Sequence, residues 1–167
     1  MLYRKQAIFV GAYICMKGIG RGLALKILKF VAGAEIVAGF LVDWNRTHLF
    51  NPKWTPHAKF HDALSISMAS MNGVLALYLL EKKSLSDPVK LAAMVLAVPC
   101  LAMGMAYAFP GAKGLEAEFP EVVPKVGKVY LSEWLVCVSG LSLIGLSFYF
   151  YNAPARRKYW NQKNWIA

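Results

Sequence analysis

Three histidines lie within fourteen residues of this chain, in the polar stretch that runs from residue 43 to residue 62. They are His48, His57 and His61, and the sequence contains no other histidine. Histidine changes its charge near neutral pH and is a common metal ligand, so this stretch is the first candidate for acid–base or metal chemistry. Pro56 can be the first residue of a helix with Thr55 as its N-cap. His57 and His61 are four residues apart, so both side chains would then lie on one face of the first two turns.

An HxxxH pair is an incomplete zinc site, because zinc takes three or four protein ligands. His48 and one acidic residue would have to complete the set, and the candidates for that acid are Glu116, Glu118, Glu121 and Glu133. In the alternative arrangement, the imidazoles hydrogen-bond loop carbonyls and the carboxylate of Asp62. We expect this hydrogen-bonded arrangement, with no bound metal and no other cofactor.

Glu35 is the other candidate, because it lies near the middle of an apolar stretch. A charged carboxylate at the centre of a bilayer costs about 2.5 kcal/mol or more, so we expect Glu35 to face neighbouring helices. It would either move a proton or stay protonated and bond a polar group on another helix. The polar groups that could serve as its partner are Ser67, Ser70, Asn72 and Ser139.

The composition is that of a membrane protein, with 57% hydrophobic and 17% charged residues. Four apolar segments of roughly 18 to 22 residues are long enough, at about 1.5 Å per residue, to cross a ~30 Å hydrocarbon core. They are residues 24–42, 63–80, 88–109 and 131–151. Because lipid offers no hydrogen bonds to the backbone, these spans should be helices. We expect an all-α four-helix bundle in which residues 1–167 form a single membrane domain.

The N-terminal segment is basic, and its apolar run from residue 7 to residue 16 is short for a span. We expect a basic segment that lies along the membrane surface. The first 34 residues contain six basic residues and no acidic one. Acid-poor, basic N-termini are typical of mitochondrial targeting segments, which favours the mitochondrial inner membrane over a bacterial or secretory-pathway membrane.

Lysine and arginine are distributed unevenly over the two faces of the membrane. Thirteen lie on the face that carries both termini and the 81–90 loop, and six lie on the face that carries the histidine stretch and the 111–130 loop. The positive-inside rule then predicts both termini in the cytoplasm, or in the matrix of a mitochondrial protein, with His57 on the opposite side. With the mitochondrial preference, we expect the matrix. Anionic phospholipid explains the net charge of +10 without a nucleic-acid partner. The residues expected at the lipid surface are Arg4, Lys5, Lys17, Arg21, Arg156, Arg157 and Lys158.

The histidine stretch resembles a T-H-x-x-N-P-x-W-x-P-H-A-x-F-H connection found in an uncharacterised family of small four-span membrane proteins. The matching residues are Thr47, His48, Asn51, Pro52, Trp54, Pro56, His57, Ala58, Phe60 and His61. The resemblance implies a helical bundle and assigns no activity. A looser analogy exists with four-helix membrane isomerases of the emopamil-binding type, which use histidine and acidic groups inside a lipid-facing cavity.

Two classes of function fit these features. The first is a non-catalytic accessory subunit of a larger membrane complex, such as a respiratory assembly, with other membrane subunits as partners. In that class Glu35, Asp62 and Asn72 are structural polar groups. The second is a small membrane enzyme of isomerase or hydrolase type that acts on a lipid or isoprenoid. In that class His48, His57, His61 and Glu35 are the acid–base groups. We expect the first.

Overall fold

The computed structural model describes the backbone of residues 2–82 and 84–163, and the side chains of residues 19–82 and 84–152. Helices dominate it, which confirms the predicted all-α class. Their bounds are α1 Leu2–Val42, α2 Pro56–Glu81, α3 Pro88–Ala106 and α4 Glu133–Lys163. The connection between α3 and α4 adds a 3-10 turn at Leu115–Ala117 and a small hairpin of β1 Lys125–Val126 and β2 Val129–Tyr130.

The four helices form a ring in which α1 packs against α2 and α4, and α3 packs against the same two helices. A smaller contact joins α1 to α3 across the ring. Gly39, near the end of α1, lies against Ile66 in the first half of α2, while Lys29 Nζ, further from that end, forms a 2.5 Å ion pair with Glu81 Oε1 at the end of α2, so these neighbours are antiparallel. One end of the bundle carries residues 43–55 and 107–132 and is called the loop end. The opposite end, with residues 82–87, is called the basic end.

Local signals in the sequence explain where α2 and α3 begin. The hydroxyl of Thr55 accepts a hydrogen bond from Ala58 N at 3.2 Å, and Pro56 occupies the first turn of α2. This is the predicted N-cap, and proline fits there because its missing N–H would have no helical partner. The carboxylate of Asp87 caps α3 in the same way by accepting from Lys90 N at 3.1 Å.

Three helices are long and apolar enough to cross a membrane: α2, α3 and residues 133–152 of α4. They coincide with three of the four predicted spans. The remaining candidate span, residues 24–42, lies within α1 and contains Lys26, Lys29 and Glu35. Its three charges are spread along the stretch, whereas α2 has an uncharged run from residue 63 to residue 80.

The element bounds differ from the sequence expectation in three places. The N-terminal segment is not a separate surface element, because α1 runs without interruption from Leu2. α3 ends at Ala106, three residues earlier than predicted, since the residue before Pro110 disfavours helical backbone and a series of turns follows. α4 begins at Glu133 rather than residue 131, because Val129 and Tyr130 pair with β1.

Most of the fully buried apolar side chains lie in the half of the bundle nearest the basic end. They form one cluster that draws on all four helices: Leu28, Val31, Ala32, Ala76, Val89, Ala92, Ala93, Leu96 and Ile144. Four of these nine are alanines, so the helices approach each other closely there. Large apolar side chains on the outer faces remain exposed, as expected for surfaces that contact lipid.

Small residues allow neighbouring backbones to come close and to exchange hydrogen bonds. A Cβ atom at Gly73 would lie 2.5 Å from Ala32 O and 2.8 Å from Ile36 Cγ1. Next to this contact, Ser70 Oγ donates to Ile36 O at 2.9 Å and so joins α2 to α1. On the other side of α1, Ser147 Oγ of α4 donates to Ala24 O at 3.1 Å. Small side chains thus hold α1 between its two neighbours.

We predict that Gly73→Ala destabilises the bundle and that Gly145→Ala does not. Both changes replace a helical glycine with alanine. Alanine favours the helical backbone over glycine by up to about 1 kcal/mol. Only at Gly73 does the added Cβ meet backbone, while at Gly145 nothing lies within 4 Å. Overpacking of this kind typically costs about 1 to 3 kcal/mol.

The measurement is the melting temperature of the two variants and the wild type in the same detergent. We expect a lower value for Gly73→Ala alone. Equal melting temperatures for the two variants would contradict the close α1–α2 contact.

Candidate functional site

The loop end brings together polar side chains from both long connections of the chain. The first connection, residues 43–55, carries Asp43 and His48. The second, residues 107–132, leads into Glu133 at the start of α4. His57 and His61 lie on the first two turns of α2, as predicted. Glu35 lies eight residues before Asp43, roughly 12 Å further along the axis of α1.

His48 is held on three sides within the first connection. Its Nδ1 lies 2.8 Å from Thr47 Oγ1, and its Nε2 lies 3.6 Å from Asp43 Oδ1. The edge of its ring meets the Trp54 ring, with 5.6 Å between the centroids. We predicted a carbonyl or carboxylate hydrogen bond for this imidazole. The bond is made instead to a hydroxyl, and the carboxylate of Asp43 is at ion-pair distance.

Two asparagines hold the connection that positions His48. Asn45 Oδ1 accepts hydrogen bonds from Thr47 N at 2.8 Å and Thr47 Oγ1 at 2.6 Å. Asn51 is 1% exposed, donates to Thr47 O at 3.2 Å and accepts from Lys53 N at 3.0 Å. Asparagine side chains often replace backbone partners in turns in this way. The connection is therefore built around its own polar side chains.

His57 and His61 bond each other. Their Nε2 atoms lie 3.1 Å apart, with 4.5 Å between the ring centroids. Both residues are exposed. The Phe60 ring stacks parallel to His57 at 6.2 Å and meets the edge of His61 at 5.7 Å. The expectation that each of these imidazoles finds a carbonyl or carboxylate partner is wrong for this pair, because i and i+4 side chains on one helical face reach each other first.

Acidic groups from three elements interact around Asp43. Burial raises the pKa of Asp43. The nearby His48 imidazole opposes this shift, and the carboxylates of Asp62 and Glu133 add to it. One carboxylate oxygen of Asp62, Oδ2, is buried and has no hydrogen-bond partner among the described residues. The loop end is thus an acidic cluster that one histidine partly compensates.

Glu133 connects the start of α4 to the second connection. Its carboxylate accepts hydrogen bonds from Tyr107 Oη at 3.1 Å and from Leu115 N at 2.9 Å. A small open pocket of about 110 Å³ lies beside these groups, lined in part by Met103, Tyr107 and Lys113. Burial raises the pKa of Tyr107, and the carboxylates of Glu133 and Glu116 add to the shift.

The sequence alone predicts no chemical role for Tyr107 or Asp43, and it indicates Glu133 only as one possible metal ligand. Asp43 and Tyr107 directly follow α1 and α3, and Glu133 is the first residue of α4. Charged and aromatic residues at span ends are common in membrane proteins, so their type alone did not distinguish them from interface anchors. Only their convergence at the loop end identifies them.

The carboxylate of Glu35 is buried within the bundle, where the described residues give it no hydrogen-bond partner. Both of its carboxylate oxygens are inaccessible, and neither has a hydrogen-bond partner among the described residues. The predicted partners Ser67, Ser70 and Ser139 donate to backbone carbonyls instead. The carboxyl lies close enough to the Cys100 thiol to interact with it electrostatically. The prediction that Glu35 lies within the bundle is confirmed. The predicted hydrogen bond between its carboxyl and a serine hydroxyl is not formed by Ser67, Ser70 or Ser139.

The remaining predicted residues lie apart from the loop end. Asn72 is half-buried on α2. The Arg21 guanidinium lies 5.7 Å from the centre of the Tyr151 ring at the basic end. The other residues expected at the lipid surface have side chains outside the described ones: Arg4, Lys5, Lys17, Arg156, Arg157 and Lys158.

The three histidines do not assemble into one site. In the described part of the chain, no group of three or more histidine, cysteine, aspartate or glutamate side chains is arranged to hold a metal ion. His48 pairs with Asp43, while His57 pairs with His61. Because Glu35 lies deeper in the bundle, the four proposed acid–base groups occupy three separate places.

A sequence profile described as a family of unknown function (DUF6640) matches residues 25–163 of the chain. The match covers most of the sequence, so the chain belongs to this family. Neither the curated proteins nor the solved structures contain a match. The match begins within α1 and extends to the end of the described part of α4, so it includes the whole loop end.

We predict that Asp43→Asn stabilises the protein at neutral pH. The pKa of Asp43 is raised above its ordinary value of 3.8 in the folded state, mainly by burial. The folded state therefore holds the proton more tightly than the unfolded state, and stability falls as the pH rises from about 4 through the raised pKa. Asparagine is neutral at every pH, so the variant does not lose stability in this way as the pH rises.

The measurement is the melting temperature of the wild type and Asp43→Asn between pH 3.5 and pH 8. We expect the variant to melt higher at pH 7 and the difference to vanish at the acidic end. A lower melting temperature for the variant at pH 7 would show that the ion pair with His48 outweighs burial.

Proposed function

We propose that this member of the DUF6640 family is a non-catalytic accessory subunit of a larger membrane protein complex. We place it in the mitochondrial inner membrane as a four-span bundle, with both termini in the matrix and the loop end on the opposite side. Its partners are other membrane subunits and anionic phospholipid.

The length of two helices is the observation that carries this proposal. α1 has 41 residues and α4 has 31, which correspond to roughly 61 Å and 46 Å of helix. A hydrocarbon core of about 30 Å needs only some 20 residues. Both helices therefore extend past the bilayer, and both extensions lie at the basic end. Helices in water depend mainly on packing against other elements, so these extensions suit a docking role.

The loop end supports the same proposal. Val126 and Val129 face each other across the hairpin and are 69% and 52% exposed, although they lie outside the spans. Exposed apolar side chains in such a position suit contact with a neighbouring subunit. The pocket beside Glu133 holds about 110 Å³, well below the ~300 Å³ at which ligand pockets usually begin. It is too small for a lipid or isoprenoid substrate.

We infer the position of the first span and the orientation of the bundle in the membrane from the distribution of charged residues. Lys26 lies near the basic end, and Lys29 is paired there with Glu81. Both lysines can extend their charged groups toward the headgroups, while Glu35 is enclosed by neighbouring helices. A stretch with three charged residues can cross a membrane under these conditions. The excess of basic residues at the termini then favours the matrix side.

We predict that the full chain, purified from its native membranes in a mild detergent, migrates with other membrane proteins as a large assembly. A native gel followed by mass spectrometry of the band measures this. Migration as a monomer or dimer with bound lipid alone would refute the proposal.

A matched pair of triple variants locates the contact. Arg156→Gln, Arg157→Gln and Lys158→Gln remove three charges from the α4 extension. Lys113→Gln, Lys125→Gln and Lys128→Gln remove three charges from the loop end. Both sets preserve the excess of basic residues on the matrix side. We expect only the first set to weaken co-migration, and an equal loss in both would exclude specific docking by the α4 extension.

Glu35 supports a second candidate, a membrane enzyme that acts on a lipid or isoprenoid. Its two carboxylate oxygens are buried and lack hydrogen-bond partners among the described residues. Ionisable residues within a span are seldom retained without a role, and a buried neutral carboxyl can donate a proton. In this candidate Glu35 acts alone, because the histidines lie at the loop end.

Glu35→Gln separates the two candidates, since the amide keeps the size of the side chain and loses the transferable proton. If the protein is a structural subunit, Glu35→Gln assembles normally and leaves the lipid composition of the membrane unchanged. If it is an enzyme, Glu35→Gln accumulates the same lipid or isoprenoid precursor as a deletion strain. We expect the first result, measured by native gel and by lipid mass spectrometry.

A further inference from the structure

The two exposed imidazoles on the first turns of α2 are arranged as a pair of metal ligands. The Nε2 atoms of His57 and His61 lie 3.1 Å apart, closer than their ring centroids at 4.5 Å. The two rings therefore turn their Nε2 edges toward each other. This is the edge through which a neutral imidazole binds a transition metal.

The separation of the two nitrogens matches a single shared ion. If each nitrogen lies 2.0 to 2.1 Å from the metal, a spacing of 3.1 Å subtends roughly 95° to 102° at the ion. This angle lies between the right angle of square-planar or octahedral coordination and the ~109° of a tetrahedron. The two nitrogens can therefore occupy two adjacent positions of any of these geometries.

The backbone that carries His57 and His61 is held by its own capping and hydrogen-bond contacts. Thr55 caps the first turn of α2, and Pro56 begins it. Ser65 Oγ donates to His61 O at 3.0 Å, one turn further along. Phe60 stacks against His57 and restricts its ring. A ligand pair that is already ordered loses little conformational freedom on binding a metal.

We propose that His57 and His61 form a surface binding site for one divalent transition-metal ion, with the remaining coordination positions open to water. Imidazole nitrogen selects copper, nickel or zinc over magnesium or calcium, which prefer oxygen ligands. His48 is not part of the site, because its two nitrogens face Thr47 and Asp43. The proposal concerns the free chain and is independent of the accessory role.

The test uses the full chain in detergent, purified with a tag that contains no histidine. Copper(II) is added, and binding is followed by calorimetry and by electron paramagnetic resonance. We expect one ion per chain, a signal split by two imidazole nitrogens, and tighter binding of copper than of zinc. Binding should weaken as the pH is lowered, because protons compete for both ligands.

Three single variants complete the experiment. We expect His57→Ala and His61→Ala each to lower copper affinity by about tenfold or more, in the range seen when metal sites lose a supporting group. His48→Ala is the matched control and should keep the wild-type affinity. Helical circular dichroism verifies that each variant is folded.

Two results would overturn the proposal. One is the absence of stoichiometric binding by the folded wild-type chain. The other is an equal loss of affinity in His48→Ala, which would mean that the ion binds elsewhere or needs all three histidines. Neither result bears on the native-gel test of the accessory role, so the two proposals fail separately.

Discussion

Close approach of helix backbones is the constraint on which this bundle depends. Inside a membrane the hydrophobic effect does not drive one helix onto another, so packing and hydrogen bonds must do so. Gly73 leaves no room for a side chain between α2 and α1. Ser70, Ser147 and Cys137 each donate to a backbone carbonyl of a neighbouring helix. These contacts set the positions of α1 and α4, and hence of everything at the loop end.

The carboxylate of Glu35 has no hydrogen-bond partner among the described residues. Ser67 and Ser70, two of the hydroxyls that could have met it, donate to backbone carbonyls instead, and Ser70 thereby joins α2 to α1. The bundle therefore encloses a carboxyl that its own neighbours leave unbonded. That arrangement is compatible with a protonated structural residue and with a proton donor, which differ in their response to Glu35→Gln.

The loop end shows how one polar stretch can hold two distinct arrangements. His48 is enclosed by Thr47, Asp43 and Trp54 and belongs to an acidic cluster that reaches Glu133 on α4. His57 and His61 are exposed on the helix that follows. The start of α2 at Pro56 separates these environments. An enclosed imidazole suits a structural role, while an exposed pair with facing nitrogens suits an added ligand.

The sequence by itself determined the class of the protein and much of its local structure. Hydrophobic length predicted the three described helices that are long and apolar enough to cross a membrane, and Thr55-Pro56 predicted the start of α2, because both depend on residues near one another in the chain. The pairing of His57 with His61 likewise follows from their spacing. What only the tertiary structure decided depends on distant residues. The electrostatic interaction of Asp43 with Glu133 and the burial of the Glu35 carboxylate without a hydrogen-bond partner among the described residues are set by how the helices pack. No local pattern encodes these features, since each depends on residues that are far apart in the chain.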